Sequence, residues 1–276
     1  MPVNIARLGT YLLPAVGLVA VVAALSILLP RQEEPDEDMV ALSLYCAAEA
    51  RLAVEDIVDS FQRRAGVRVR VHFVPSHLLL NRIEGRSEGD LLLSADDLSM
   101  DRARRRGLVD EGRPVAYLVP VVMTGVKAHH LIQTVSDLMA PDIRLGLASG
   151  ETTLGEITPT VLQKNGIPME RFTDTVAVSG TTAAELAQAV ELGRIDAAIL
   201  WRPWARHYRH QSRTIEIAAE RNVIVPLVAA ILSTSENADA ARQFVKFLEG
   251  HLAQNTFRKY GYAWDDGSGL ECFGAE

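Results

Sequence analysis

The sequence predicts an α/β protein built from two lobes. Short apolar segments with the composition of β-strands alternate with segments in which apolar residues recur at helical spacing. This alternation starts again after residue 113, and two long apolar stretches connect the two groups of elements. Strands that alternate with helices form βαβ units around a mainly parallel sheet, so each group is expected to fold around its own sheet.

The first group of elements begins at Val40, where "MVALSLYCA" has the pattern of a short apolar strand. A helix is expected next, because apolar residues then recur at i, i+3, i+4, i+7 and i+11. Gly66 follows at the position where a left-handed residue commonly ends a helix. The apolar face of this helix comprises Val54, Ile57, Val58, Phe61 and Ala65.

Two further strands complete the first group. The stretch "VRVRVHF" (67–73) alternates apolar with polar residues, which predicts a half-buried strand. The stretch "DLLLSAD" (90–96) contains a continuous apolar run, Leu91 to Leu93, and predicts a fully buried strand. Between them, "LLLNRIEG" suggests a short helix.

The second group lies between two long strand regions, "PVAYLVPVVMTG" (114–125) and "VIVPLVAAILS" (223–233). Two strand–helix–strand patterns occur between them, and an amphipathic helix follows the second region. Two groups joined by two extended crossings indicate two lobes with a hinge. The assigned ranges are residues 40–118 and 226–265 for the first lobe, 119–225 for the second lobe and 266–276 for a C-terminal tail.

The N-terminal segment differs from the rest of the chain. Residues 8–30 contain no charged residue and are long enough to span a bilayer as a helix. Arg7 precedes this segment and an acidic stretch follows it, so the positive-inside bias places residues 1–7 in the cytoplasm and the body outside. We predict a transmembrane signal anchor over 8–30 and a linker over 31–39. A cleaved signal peptide is the alternative, although the segment is longer than usual and lacks a small-x-small site.

Charge and cysteine content narrow the possible functions. The net charge of −7 argues against a general nucleic-acid-binding protein. The dense basic run "RARRRG" (102–107) is flanked by acids and is typical of a solvated helix end. Cys46 and Cys272 are the two cysteines of the chain. A disulfide between them is possible outside the cytoplasm, and buried free thiols are the alternative.

Three stretches together resemble one protein family. They are "LYCAAEARLAVEDIVDSFQRRAGV", "GDLLLSADD" with "MDRARRRGLVD", and "FVKFLEGHLAQNTFRKYGY". In their order and spacing, from about Val40 to Tyr262, they resemble the molybdate- or tungstate-binding proteins of ABC transporters. The resemblance implies a type II periplasmic-binding-protein fold, a small oxyanion held between two lobes, and an ABC transporter permease as partner. It implies no cofactor, no metal ligand and no catalytic residue.

The resemblance also carries the family's ligand contacts onto this chain. These contacts are mostly neutral donors, namely hydroxyl groups and backbone N–H groups at helix starts. Glu49 departs from this pattern, because it stands in the place of a serine and its carboxylate has no proton to donate as the serine hydroxyl would. The matched positions are Glu49 for the first serine, Ser76 or His77 for the second, Leu154 and Gly155 and then Thr182 or Ala183 for backbone donors, and Trp201 for a tyrosine.

Glu49 therefore has three interpretations. It could be an acid that only favours the N-terminal end of its helix. It could indicate an altered ligand, because an ionised carboxylate repels a dianion. It could also lock the two lobes together through a charge partner, for which Arg202 and His77 are the available cations.

The sequence thus predicts a membrane-anchored, extracytoplasmic solute-binding protein. The rival hypothesis is a tethered sensor or scaffold that keeps the binding fold but has an altered ligand. An enzyme is not expected, because Cys46 near Glu49 lacks the oriented third group of a catalytic triad. His207 and His210 lie in an arginine-rich stretch, which favours a surface location over metal binding.

Overall fold

The structure, a computed structural model, describes residues 41–86, 88–140 and 142–265. The described residues belong to one compact unit that contains two five-stranded sheets. Their strands are β1 (Ala41–Ala47), β2 (Arg68–Val74), β3 (Leu91–Ser94), β4 (Val109–Leu118), β5 (Pro120–Gly125), β6 (Leu145–Ala148), β7 (Val176–Thr181), β8 (Ala197–Trp201), β9 (Ser212–Glu216) and β10 (Val225–Leu232).

Helices connect most of these strands. Short 3₁₀ helices cover Ala48–Ala50, Val135–Met139 and Ala219–Arg221. The α-helices are α1 (Arg51–Ala65), α2 (Ser76–Glu84), α3 (Asp97–Arg105), α4 (Thr153–Lys164), α5 (Met169–Thr173), α6 (Ala183–Glu191), α7 (Arg202–His207), α8 (Ala238–Leu248) and α9 (His251–Tyr260).

The first sheet has the strand order β2-β1-β3-β10-β4. Strand β1 pairs in parallel with both β2 and β3, whereas β10 runs antiparallel to β3 and β4. Because β1, β2 and β3 are parallel, their carboxyl ends lie at one edge of the sheet. The segments that follow these three strands therefore start close together, which is where α/β folds place ligands.

The second sheet has the order β7-β6-β8-β5-β9. Strand β6 pairs in parallel with β7 and β8, and β5 runs antiparallel to β8 and β9. Helices α4 and α6 follow β6 and β7, so both begin at the carboxyl edge of this second sheet. We call the first sheet with its helices the first lobe, and the second sheet with its helices the second lobe.

The chain crosses between the two sheets twice. The first crossing consists of Val119 alone, because β4 ends at Leu118 and β5 begins at Pro120. The return crossing joins β9 to β10 and contains the buried Asn222, whose Nδ2 donates to Pro120 O at 2.9 Å. This hydrogen bond ties the return crossing to the residue that directly follows Val119.

Helix α1 shows how the predicted pattern becomes a packed face. Val54, Ile57, Val58 and Phe61 are buried, as predicted, and pack into the core of the first lobe. Gly66 ends the helix with φ 65°, a left-handed conformation that glycine adopts at no steric cost. Ala65 is exposed, because the last turn of the helix extends beyond the sheet that it covers.

Two predictions fall on residues outside the described ranges. The predicted anchor over 8–30 and the tail over 266–276, which includes Cys272, both lie there. Within 41–86, 88–140 and 142–265, no helix is both long and apolar enough to cross a membrane. Cys46 is buried in β1 and forms no disulfide with a residue that the structure describes, so the possible pairing with Cys272 stays a prediction.

Candidate functional site

The candidate site lies where the two lobes touch. Thr153 Oγ1, at the start of α4 in the second lobe, donates to Asp96 Oδ2 of the first lobe at 3.3 Å. Beside this contact, His77 Nε2 lies 4.0 Å from Glu151 Oε2 across the same boundary. We call the space bordered by these four residues and the nearby Glu49 and Ser76 the cleft.

Glu49 enters the cleft from the 3₁₀ helix that follows β1. Its backbone carbonyl accepts a hydrogen bond from the Tyr262 hydroxyl at 2.7 Å, which fixes the turn. The residue as a whole is only half-buried, yet its Oε2 atom is inaccessible to solvent and has no hydrogen-bond partner. Burial raises the pKa of the Glu49 carboxyl above its ordinary range, and the negative charge of Asp96 acts in the same direction. The surroundings of Glu49 therefore favour protonation of its carboxyl group more than water does.

Ser76 is the first residue of α2 and is buried, with 6% of its surface exposed. Its hydroxyl has no hydrogen-bond partner, and neither does Glu49 Oε2. The Ser76 hydroxyl lies close enough to Glu49 to favour its ionised carboxylate, which partly offsets the rise in the pKa of Glu49. The two groups do not have the geometry of a hydrogen bond. A buried hydroxyl without a partner costs about 1–3 kcal/mol. The site thus contains two unsatisfied polar groups side by side.

Asp96 performs two roles in the first lobe. It caps the N-terminal end of α3, where its carboxylate accepts hydrogen bonds from the N–H and the hydroxyl of Ser99. The same carboxylate accepts the hydrogen bond from Thr153 across the cleft. Its lone pairs are therefore largely occupied by protein donors. Sequence reasoning missed this residue as a member of the site.

The start of α4 supplies backbone donors from the second lobe. Thr152 caps the helix by accepting from Gly155 N at 3.2 Å, and the first intrahelical bond runs from Glu156 N to Thr152 O. The N–H groups of Thr153 and Leu154 precede that bond, so they have no intrahelical partner. Such N–H groups favour anions, as does the positive end of the helix dipole.

Gly155 contributes space rather than a ligand contact. A Cβ atom at this position would overlap the Ser149 carbonyl oxygen and would lie 2.9 Å from Gly150 N. Only glycine allows the turn before α4 to approach the helix so closely. Gly155 was predicted as a backbone donor, but its N–H already donates to the Thr152 hydroxyl.

The remaining matched positions lie elsewhere in the second lobe. Thr182 caps α6 in a capping box with Glu185, and Ala183 is the first residue of that helix. Trp201 ends β8, is fully buried, and has no hydrogen-bond partner for its Nε1. The contacts between the lobes join Asp96 to Thr153 and His77 to Glu151, and Glu49 and Ser76 lie beside them in the first lobe. None of the contacts described above joins Thr182, Ala183 or Trp201 to the start of α4.

Arg202 is not the partner of Glu49. Its guanidinium forms an ion pair with Glu216, with Nη2 at 2.7 Å and Nε at 3.1 Å from Oε2. The reason is topological, because Arg202 begins α7 next to the edge strand β9 that carries Glu216. Arg202 therefore does not connect the lobes through Glu49. The contacts between the lobes at this place are those of His77 with Glu151 and of Asp96 with Thr153.

The cleft brings together groups that can bind a polar ligand. Burial raises the pKa of the Cys46 thiol well above its ordinary value, with the charge of Glu49 acting in the same direction, so the thiol stays in its unreactive neutral form. Within the part of the chain that the structure describes, no group of three or more His, Cys, Asp or Glu side chains could hold a metal ion. Among the residues that border the cleft, the Ser76 hydroxyl and Glu49 Oε2 have no hydrogen-bond partner, and the N–H groups of Thr153 and Leu154 have no partner within their helix.

Sequence reasoning missed Asp96, Glu151 and Thr153. A signal for Asp96 was present, because an aspartate that follows a buried strand and precedes Ser99 by three residues is a typical helix cap. Glu151 and Thr153 carried no such signal, since their importance comes from the contact between the lobes. A single sequence does not reveal which loop of one lobe meets which loop of the other.

Comparisons with known proteins support the same architecture. A family model described as bacterial extracellular solute-binding protein matches residues 42–263. The major ferric iron-binding protein of Neisseria gonorrhoeae is 22% identical over 243 residues, which cover 73% of this chain and 74% of that protein.

Solved structures share the fold at low sequence identity. The periplasmic molybdate-binding protein of Azotobacter vinelandii is 15% identical with a TM-score of 0.71, covering 81% of this chain and 99% of that one. The sulfate-binding protein SubI of Mycobacterium tuberculosis is 17% identical with a TM-score of 0.68, covering 81% and 86%. The predicted two-lobed α/β fold, that of type II periplasmic binding proteins, is thereby confirmed.

Proposed function

The chain belongs to the bacterial extracellular solute-binding protein family, and on this premise we propose that its cleft captures a small oxyanion for an ABC transporter. Binding proteins of this family take up small solutes outside the cytoplasm and deliver them to ABC transporter permeases. The family membership indicates a small solute, and our proposal is that this solute is an oxyanion.

One observation carries the choice of an oxyanion. The buried hydroxyl of Ser76, which lacks a partner, lies in the same cleft as the helix-start N–H groups of Thr153 and Leu154. Hydroxyl and amide donors without partners become satisfied when an acceptor with several oxygen atoms enters between them. The two lobes supply these donors from opposite sides, so that a bound oxyanion would hold them closed.

The contact set differs from the one expected for molybdate or tungstate. Glu49 stands where the resembled family has a serine donor, and Asp96 adds a second carboxylate nearby. The relatives named above are described as binding molybdate, sulfate or ferric iron. Molybdate and tungstate are therefore two members of the class of ligands to be tested and not the presumed cargo.

Calorimetry on the full chain tests the proposal. Sodium molybdate, tungstate, sulfate and phosphate are titrated in turn, with ferric citrate as the metal alternative. Binding of at least one oxyanion is the expected result. If no oxyanion binds and ferric iron does, the cleft is a metal site. If none of these ligands binds, the tethered sensor or scaffold becomes the better hypothesis.

We expect Ser76→Ala to weaken oxyanion binding by about tenfold, because a hydrogen bond to a charged acceptor contributes about 1.5–3 kcal/mol. Titration of the variant with the tightest oxyanion measures the loss. Ser60→Ala on the outer part of α1 removes a matching hydroxyl far from the cleft and serves as the control. Equal affinities of the two variants would place the oxyanion away from Ser76.

We also propose that residues 8–30 anchor the body outside the inner membrane. The proposal rests on the uncharged apolar run and on the charges that flank it. We expect alkaline carbonate washing to leave the protein in the membrane fraction, and N-terminal sequencing of the mature protein to begin at or near Met1. A mature N-terminus beyond Pro30 would instead indicate a cleaved signal peptide.

A further inference from the structure

We propose that Glu49 and the bound oxyanion share one proton, so that the cleft selects oxyanions that carry a hydroxyl group over fully ionised ones. Hydrogen phosphate and hydrogen arsenate belong to the first class at neutral pH, and sulfate and molybdate belong to the second. This inference rests on the proposed function and specifies the ligand of the same cleft.

The geometry of Glu49 requires a partner that the protein does not provide. Its Oε2 atom is inaccessible to solvent and accepts no hydrogen bond, although the adjacent Ser76 hydroxyl is also without a partner. Tyr262 cannot help, because its hydroxyl already donates to the Glu49 carbonyl. A ligand that fills this space therefore meets a hydroxyl donor and a carboxyl group at once.

Burial of the Glu49 carboxyl group, more than the charges around it, favours a protonated group at this point. Asp96 of the α3 start is negative, and Glu151 lies across the cleft beside His77. Cys46 of β1 and Tyr262 after α9 are buried beside Glu49, and burial raises the pKa of both groups, so they stay neutral. The charge of His77 is the facing group that favours the ionised carboxylate, while Arg51 acts on neighbouring Cys46. Asp96 and His77 thus act on Glu49 in opposite directions, and burial is the larger influence that raises the pKa of its carboxyl group.

An oxyanion can share a proton with this carboxyl group in two ways, which differ by one unit of total charge. A hydroxyl of hydrogen phosphate can donate its proton to the ionised Glu49 carboxylate. Alternatively, the protonated Glu49 acid can donate to an oxygen atom of a dianion. Either way, one proton lies between two oxygen atoms, and no bond other than this hydrogen bond is made.

The source of the proton separates the two ligand classes. Hydrogen phosphate brings its own proton, whereas sulfate and molybdate need Glu49 to be protonated first. Above the pKa of Glu49 in the free protein, binding of sulfate must therefore take up one proton from solution. By linkage, the dissociation constant of sulfate should then rise by close to tenfold for each pH unit. The dissociation constant of phosphate should rise less steeply with pH, because its binding takes up about one proton fewer than the binding of sulfate.

Calorimetric titrations of the full chain between pH 6 and 9 with sodium phosphate, sulfate and molybdate test this inference. Because a charged hydrogen bond is gained or lost, we expect phosphate to bind at least about tenfold tighter than sulfate at pH 8. Titrating sulfate in two buffers of different ionisation heat measures proton uptake directly. This second measurement needs no variant.

Glu49→Gln removes the shared proton with little change in shape. Its amide donates at every pH, so the sulfate slope should disappear and the phosphate preference should fall to within about threefold, as expected when a charge-assisted bond becomes a neutral one. Glu55→Gln removes a carboxylate from the exposed face of α1 and should leave both properties unchanged.

The outcomes separate the two proposals. If oxyanions bind without a phosphate preference and without proton uptake, the inference about Glu49 is wrong while the oxyanion function stands. If a preference exists but persists in Glu49→Gln, another residue is responsible and the inference is likewise overturned. If no oxyanion binds the wild-type chain, both proposals fall together.

Discussion

Replacing Glu49 by serine should tighten the binding of sulfate or molybdate at pH 8 by about a hundredfold. The serine restores a hydroxyl donor, which contributes about tenfold or more to a charged acceptor. It also removes the need to protonate a carboxyl group. An ionised carboxylate about 4 Å from a unit charge repels it by about 4 kcal/mol at an effective dielectric constant near 20, and protonation only partly relieves this cost. Calorimetry at pH 8 measures the gain.

Three results are distinguishable for Glu49→Ser. A large gain for sulfate with a smaller change for phosphate agrees with a shared proton. Unchanged affinity for every oxyanion would remove Glu49 from the site and leave it as an acid at a helix start. Weaker oxyanion binding, together with a more open shape in scattering experiments, would indicate that Glu49 holds the lobes together through His77. The matched control is Glu55→Ser, which changes an exposed residue on α1.

Replacing Gly155 by alanine should lower the free energy of unfolding by about 3 kcal/mol or more, because a clash with backbone atoms cannot be relieved by a side-chain rotation. The new Cβ would overlap Ser149 O and lie 2.5 Å from Ser149 C. The turn would have to move, although Thr152 N donates to Ser149 O at 2.9 Å and holds it. Urea unfolding measures the loss.

Gly150 is the matched control for Gly155. It lies in the same turn, but a Cβ there would meet nothing within 4 Å, so Gly150→Ala should change stability by no more than about 0.5 kcal/mol. A similarly small effect of Gly155→Ala would contradict the close approach. Because Thr153 is displaced with the turn, Gly155→Ala should also weaken the contact with Asp96 and the binding of ligand.

The elements of the fold were largely predictable because their apolar patterns are strong. The buried face of α1, the fully buried β3 and the left-handed Gly66 follow directly from local spacing. The region 114–125 was harder, because it has one continuous apolar pattern. In the structure it divides at Val119 into β4 and β5, which belong to different sheets. Local hydrophobicity carries no information about which sheet a strand joins.

The site was predictable only in part. The resemblance indicated Glu49 and Ser76, and the structure adds that both are buried groups without partners. The pairing of Arg202 with Glu216 and the contact of Thr153 with Asp96 depend on how distant segments meet. These contacts are determined by the sheet topology and by the closure of the lobes, which cannot be predicted from the spacing of residues along the chain.

The hydrogen bond from Asn222 to Pro120 has a mechanical consequence. One crossing is reduced to Val119 and the other is fastened to Pro120, the residue that follows it, so the two connections between the lobes are held next to each other. The two connections then act as one hinge region, about which each lobe is expected to turn as a rigid body. Opening must break the contact between Thr153 and Asp96, whereas the hydrogen bond between Asn222 and Pro120 can remain.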